Sequence, residues 1–480
     1  MDKRYPVKVL QFGEGVFLRA FIDWMVERMN ASGRFGGSVV IVKPRPGDFP
    51  PAYERQDLRY TVSLKGLLEG KRVETRERIG CVSRLVNPYR DFSAYLAEAA
   101  NPDLLLVVSN TTESGLAAAP DDRAEDAPAA SFPGKLTQFL RSRYEAFRGD
   151  PSKGLVILPC ELIEDNGRVL RDLVLGHARR WYADNGFSAW LRDDTTWLDS
   201  LVDRIVTGFT ETEKAAVFAA EGFDDDLVTV AEPYYLLAIR GPASLESVLP
   251  LRASGLNVRW ADDIAPYREL KVRLLNGSHT LMALCGMSLG AVYVRDCLKM
   301  PRLMEALRVY QFGETIPTMA APPKECEAYL GSVLERFANP DLYHKLESIA
   351  SKSVAKWAPR ILPTIRAGKT KTGRIPVLGS FILAALVDRY TSGAAVQDEA
   401  PAVSWFASRS RAFAASPETA MTEALSASGP WGSDIAVAGL ATEAASRLET
   451  IRRSGMAAAL EAAVADSRKT ATMSASTHSN

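Results

Sequence analysis

Up to Trp260, short continuous apolar runs alternate with stripes of helical period. Residues 7–12 form a run of the length expected for a buried strand, and Gly13-Glu14-Gly15 follows at once. Phe17, Phe21, Trp24 and Met25 then recur at i, i+4, i+7 and i+8, the stripe of an amphipathic helix. A second run, 39–42, comes after a glycine-rich turn at 33–37. Strand, glycine turn, helix and strand open a parallel βαβ unit. Segments 60–64 and 71–76 flank Leu-Glu-Gly70 and predict a hairpin inserted into that sheet. The alternation continues with helices over 91–99, 134–147 and 168–182 and strands over 104–108 and 155–158. An Ala/Asp/Pro stretch at 117–130 reads as an exposed loop. Short runs at 201–206, 227–230 and 234–239 extend the sheet as a mixed one.

After about residue 263 strand patterns give way to Ala- and Leu-rich helical ones, broken at Pro322-Pro323 and near Pro401. The pattern therefore predicts an α/β domain over 1–262 and a helical domain over 263–466. Residues 467–480 lack periodicity and are expected to be disordered. The chain's 480 residues suffice for two or three domains. Lys+Arg and Asp+Glu are both 58, so no global field attracts nucleic acid or an anionic membrane, and an anionic substrate must meet local cations. The longest largely apolar run, 281–294, is short of the roughly 20 residues of a membrane span. Five scattered cysteines show neither a disulfide framework nor a metal pattern. No signal peptide is visible at the start, so with the scattered cysteines the expectation is a cytoplasmic protein.

Two stretches carry candidate chemistry. Gly13 and Gly15 lie where backbone N–H groups can approach a pyrophosphate at a helix start, although Leu18 stands where a third glycine would complete the fingerprint. The second strand should end in an acid for the ribose diol of NAD, but Lys43-Pro44-Arg45 stands there. Two bases there suit a 2′-phosphate, hence NADP, and would equally suit a solvated loop. The second stretch is Lys271 to His279. Lysine can act as a tunable acid or base, asparagine as a neutral donor, and histidine as an orienting group. On an ideal helix Lys271 and His279 are offset by ~80°, so these groups converge only if a pocket wraps around the helix start. A solvated Lys, a backbone-bonded Asn and a core His would leave the same sequence. Tyr267 and Lys271 form a Y-x-x-x-K pair, but outside the dinucleotide domain where that pair has its usual meaning.

Gln11-Phe-Gly-Glu-Gly-Val-Phe-Leu-Arg-Ala20, Leu201-Val-Asp-Arg-Ile205, Ala231-Glu-Pro233 and Lys271–His279 resemble the four signature regions of the long-chain mannitol dehydrogenase family. Ser109-Asn-Thr-Thr-Glu113, Pro159-Cys-Glu-Leu162, Asp203-Arg-Ile-Val-Thr-Gly208 and Arg360-Ile-Leu-Pro363 are similar to its tagaturonate-reducing branch. The resemblance implies a Rossmann-type N-terminal domain, an all-α C-terminal domain, NAD as cofactor despite Lys43 and Arg45, no metal, and a small ketouronate substrate. It implies Lys271 as acid/base, Asn276 as donor to the developing alkoxide and His279 as orienting group. Cofactor contacts would come from Val9, Leu10, Gln11, Phe12, Gly13, Glu14, Gly15, Val16, Phe17, Leu18, Arg19, Ala20, Asn110 and Thr111. Substrate contacts would come from Asp203, Arg204, Glu232, His344, Lys356 and Arg360. Polyol-type members carry Cys-Asp-Asn where this chain has Cys160-Glu161-Leu162. The missing Asn, their second oxyanion donor, disfavours mannitol and fructuronate, and Asn166 is a candidate replacement.

Overall fold

The computed structural model of the chain describes residues 5–111 and 115–476, with side chains to Thr470. Thr112 and Glu113, and residues 477–480 of the expected tail, lie outside the described residues. The chain divides into two compact units, Met1–Ile264 and Ala265–Asn480.

In the first unit six strands, β1 (Val7–Phe12), β2 (Ser38–Val42), β5 (Val82–Val86), β6 (Leu106–Ser109), β7 (Val156–Pro159) and β8 (Thr196–Trp197), form one sheet. Its order is β5-β2-β1-β6-β7-β8 and every pair is parallel. Counted along the chain this is third-second-first-fourth-fifth-sixth, the doubly wound order whose reversal lies between β1 and β6. The continuous apolar runs follow from burial on both faces. Val9, Val39 and Ile41 point into one core, and Leu10, Phe12, Val40 and Val42 into the other.

Two expectations about the sheet need correcting. The hairpin β3 (Tyr60–Leu68) and β4 (Lys71–Ile79) does not enter the parallel sheet. It pairs through β3 with β11 (Thr229–Ala231), which pairs in turn with β10 (Val206–Thr207), in a separate four-stranded sheet. β4 alternates charges along an exposed edge, and such a strand cannot be sandwiched between helices. The run 201–206 is likewise not one strand. β9 (Asp199–Asp203) joins β12 (Leu236–Arg240) and β13 (Val258–Ala261) in a third sheet, while β10 starts after Arg204-Ile205. The stretch 117–130 carries no helix or strand, yet Asp122 is buried and accepts from Ala130 N, Ser131 N and the Ser131 hydroxyl.

The second unit is helical around Val377–Thr391, a helix buried along most of its length. The buried Glu314 carboxylate caps its start, accepting from Leu378 N at 2.9 Å and Gly379 N at 3.0 Å. Helices begin at Pro323 and Ala400, where the prolines suit a first turn. The expected disordered tail is helical to Ser476, as part of Leu440–Ser476. Ser467 is buried and donates to Glu314 at 2.8 Å, a tertiary bond that periodicity cannot reveal. Among the described residues no helix is long and apolar enough to cross a membrane.

Candidate active site

The first unit ends β1 in a tight turn. Gly13 has φ +123°, and a Cβ there would meet Leu18 Cδ1 at 3.1 Å and Asn110 O at 3.4 Å, so the position requires glycine. Gly13 N donates to Val42 O at 3.2 Å, tying the turn to the end of β2. Gly15 is exposed, nothing lies within 4 Å of a Cβ placed on it, and its side caps no N–H of the helix that follows. That helix runs Val16–Leu18, a π-helical turn Arg19–Asp23, then Trp24–Ala31. Uncapped N–H groups beside an open glycine at the strand-order reversal fit a dinucleotide pyrophosphate.

Of the residues expected to touch a cofactor, Glu14, Gly15, Val16, Asn110 and Thr111 lie at this open end. Val9, Leu10, Phe12, Leu18 and Ala20 are buried core, and Phe17 stacks on Phe21 at 4.9 Å. Gln11 acts from below, donating to Gly13 O at 3.1 Å and to Asp23 Oδ2 at 3.3 Å. Tyr60 also donates to Asp23, at 2.5 Å, and burial pushes the Asp23 carboxyl up to about 6. Arg19 donates to Leu227 O at 2.9 Å. Across the reversal, the buried Glu161 carboxylate accepts from Ser109 Oγ (3.0 Å), Thr111 N (2.8 Å) and Thr111 Oγ1 (2.9 Å), fixing the end of β6. Burial raises the Glu161 carboxyl.

Of the three polar residues proposed for substrate in this unit, Arg204 and Glu232 bond its own backbone, while Arg204 Nη2 is buried without a hydrogen-bond partner. Arg204 donates to Glu232 O at 3.0 Å and Ala20 O at 2.7 Å, and its guanidinium stacks on Trp24 and Tyr235. Burial lowers it to about 10. The Glu232 carboxylate accepts from Ile205 N at 2.6 Å, so the pair clamps the β9–β10 turn to the end of β11. Asp203 is buried at the end of β9. Asn166 is no substitute oxyanion donor. Its Nδ2 is spent on Pro159 O, Glu161 O and Ser200, and its Oδ1 accepts from Gly167 N and Ser200 N.

In the second unit Lys271 and Asn276 bound most of a π-helical stretch, Leu270–Asn276. In an α-helix five residues turn through ~500°, leaving the two side chains ~140° apart. A turn closed between residues five apart is wider, and it brings Lys271 and Asn276 closer to one face than an α-helix would. The wide turn has visible supports. Buried Gln311 donates to Arg273 O and Leu274 O, both at 3.3 Å, and to Ser278 Oγ at 2.9 Å. Arg273 binds Glu269 at 2.6 Å, Thr318 O at 3.1 Å and Thr364 Oγ1 at 3.1 Å. Lys271 is buried and Asn276 half-buried.

His279 is buried against Phe337 at 4.5 Å and meets the His344 ring edge-on at 4.9 Å. Its Nε2 has no hydrogen-bond partner. Burial holds His279 well below its ordinary value, helped by His344, Arg360, Arg336 and Lys356. His344 is pushed down to about 4 by desolvation and Lys356. Both rings are therefore neutral near pH 7. Lys356 and Arg360 lie one turn apart on Ser353–Thr372 and share a face. Lys356 donates to Ile349 O at 3.2 Å. Arg360 donates to Thr280 Oγ1 at 3.4 Å, and Thr280 donates to Asn276 O at 3.0 Å. The structure thus brings His279, His344, Lys356 and Arg360 together and ties them to Asn276. Arg336, Thr280 and Gln311 escaped the sequence reading because no spacing rule marks them. Among the described residues no group of three or more His, Cys, Asp and Glu could hold a metal.

The mannitol dehydrogenase Rossmann domain matches residues 7–252, and the mannitol dehydrogenase C-terminal domain matches residues 263–452. The altronate oxidoreductase of Klebsiella pneumoniae (strain 342) is 39% identical over 471 residues, covering 95% of this chain and 97% of the relative. That of Bacillus subtilis (strain 168) is 41% identical over 403 residues, covering 84% and 83%. Among solved structures, Pseudomonas fluorescens mannitol 2-dehydrogenase, in ternary complex with NAD and D-mannitol, superposes with a TM-score of 0.79. It is 20% identical and covers 95% of this chain and 94% of its own, so the likeness is one of fold.

Proposed function

The chain belongs to the mannitol dehydrogenase family, and from that premise we propose that it catalyses reversible hydride transfer between NADH and the keto carbon of D-tagaturonate, giving D-altronate. The observation that supports this chemistry is the π-helical turn Leu270–Asn276, which brings Lys271 and Asn276 toward one face just ahead of His279, whose neighbours are His344, Arg360, Arg336 and Lys356. The reduced nicotinamide, when bound, supplies the hydride to the keto carbon. Lys271 Nζ gives its proton to the carbonyl oxygen as that oxygen becomes an alkoxide, and takes it back in the oxidative direction. Asn276 Nδ2 donates to the same oxygen, a neutral donor that does not compete for the proton. His279 stays neutral and orients a hydroxyl of the sugar acid through Nε2. Arg360 and Lys356 meet the carboxylate, and the exposed Leu162 replaces the donor that a polyol dehydrogenase places at this point.

At Lys43 the first unit favours NAD over NADP, because that cation is paired with Glu14, which leaves only the exposed Arg45 of the two bases to meet a 2′-phosphate. A second substrate class within the family, fructuronate or a polyol, shares the same fold. The purified chain assayed with NADH against tagaturonate, fructuronate, fructose and tagatose, followed by nicotinamide absorbance, separates them. The expected outcome is turnover on tagaturonate at least about 100-fold above the neutral ketoses, the scale of a buried carboxylate contact. Equal turnover on fructose would overturn the assignment. Lys271→Ala should abolish turnover while NADH still binds.

A further inference from the structure

In the doubly wound fold the acid that receives the ribose diol stands at the end of the second strand. This chain has Lys43 there, directly after β2. The Lys43 side chain folds back over the Phe49 ring at 5.2 Å and pairs with the carboxylate of Glu14, from the glycine turn. Both side chains remain partly open, 12% and 20% exposed. The turn beneath the carboxylate is fixed from two sides. Buried Tyr53 donates to Glu14 O at 3.2 Å, and Gly13 N donates to Val42 O at 3.2 Å. Lys43 N itself donates to Val86 O at 2.9 Å, so the backbone carrying the cation is fixed as well.

We propose that Glu14 is the cofactor-specificity residue of this chain: its carboxylate, delivered from the glycine turn, takes the place of the missing strand-end acid and cancels Lys43. This rests on the NAD-dependent reading above. One carboxylate then does two things. It accepts from a ribose hydroxyl, and it stands as a like charge against a 2′-phosphate that an unpaired Lys43 would attract together with Arg45. Lys43, so oriented, holds the carboxylate in place rather than recruiting NADP. The arrangement explains how a basic residue at the diagnostic position is compatible with NAD, and it assigns discrimination to a residue outside β2.

The test is equilibrium binding of NADH and NADPH to the full chain, by quenching of intrinsic fluorescence, with turnover measured in parallel. Four proteins are compared: wild type, Glu14→Gln, Lys43→Ala and the double variant. Wild type should bind NADH the more tightly. Glu14→Gln should move the NADPH-to-NADH affinity ratio toward NADPH by at least about tenfold, through loss of the repulsion and release of Lys43. The double variant should lose most of that gain, because Lys43 supplies the attraction. An unchanged ratio in Glu14→Gln, including equal weakening of both cofactors, overturns the proposal. So does a double variant that keeps the full NADPH gain. Wild type that binds neither nucleotide overturns the NAD-dependent reading itself, a result distinct from either of these.

Discussion

In the proposed reading, Arg360 is the residue that separates a sugar-acid enzyme from a polyol one. Its donor to Thr280 Oγ1 is long, at 3.4 Å, and it depresses His279 together with Lys356 and Arg336. A carboxylate offered to these cations gains a charge-assisted bond that a neutral ketose cannot make. Arg360→Ala should therefore raise KM for tagaturonate by roughly 10- to 100-fold, about 1.5–3 kcal/mol of charged hydrogen bonding, while KM for NADH stays unchanged. Steady-state kinetics at varied concentrations of each substrate decide it, and an unchanged tagaturonate KM removes Arg360 from the site. Residue types alone singled out Lys271, Asn276 and His279, yet α-helical arithmetic scattered them. The wide turn that changes the placement of the first two is bonded by Gln311, far along the chain, so no local pattern announces it. Arg204 and Glu232, both in matched motifs, show in addition a structural use that no motif announces, since each bonds the backbone of its own unit.

At the scale of elements, the helix after the glycine turn is built over an ionisable core. Its π-helical turn carries Asp23, which receives Gln11 and Tyr60 and through Gln11 supports Gly13 O. Burial raises Asp23 from 3.8 to about 6, so the folded chain holds this proton more tightly than the unfolded one. The stabilising contribution is therefore full below about 3.8 and is lost as pH rises through about 6. The shift corresponds to about 3 kcal/mol, as an order of magnitude for a fully buried group. Asp23→Asn should remove the dependence. The variant's unfolding free energy in urea, relative to wild type, should become larger (the variant relatively more stable) by up to about 3 kcal/mol from pH 4 to pH 7. Parallel pH profiles would show that Asp23 is not the titrating group. The strand and helix that make this element were legible in sequence, because continuous apolar runs and a four-residue stripe have simple causes. The assignment of later strands to sheets was not: β10 and β11 are so short that pairing, of β11 with β3 and of β10 with β11, rather than their own pattern, defines them.

For the whole molecule, the apolar cores respect the division of the chain. Two buried clusters use residues no later than Val258, and two others none earlier than Leu270. Each unit thus has its own source of cooperativity, and a single unfolding free energy need not describe the chain. The parallel sheet with its glycine turn belongs wholly to the first unit, so a dinucleotide stabilises that unit by mass action. At 100 times its Kd, NADH contributes about 2.7 kcal/mol to the state that binds it. For a unit of this size that corresponds to a rise of roughly 5–10 °C in midpoint. Differential scanning calorimetry should accordingly resolve two transitions, of which NADH shifts one upward. In Glu14→Gln the same transition should respond to NADPH. Limited proteolysis during the scan assigns the shifted transition, because fragments of the first unit should then persist to the higher temperature. One transition moving as a whole would mean that the two cores unfold together, and the cofactor's stabilisation would then be shared by the helical unit that carries Lys271.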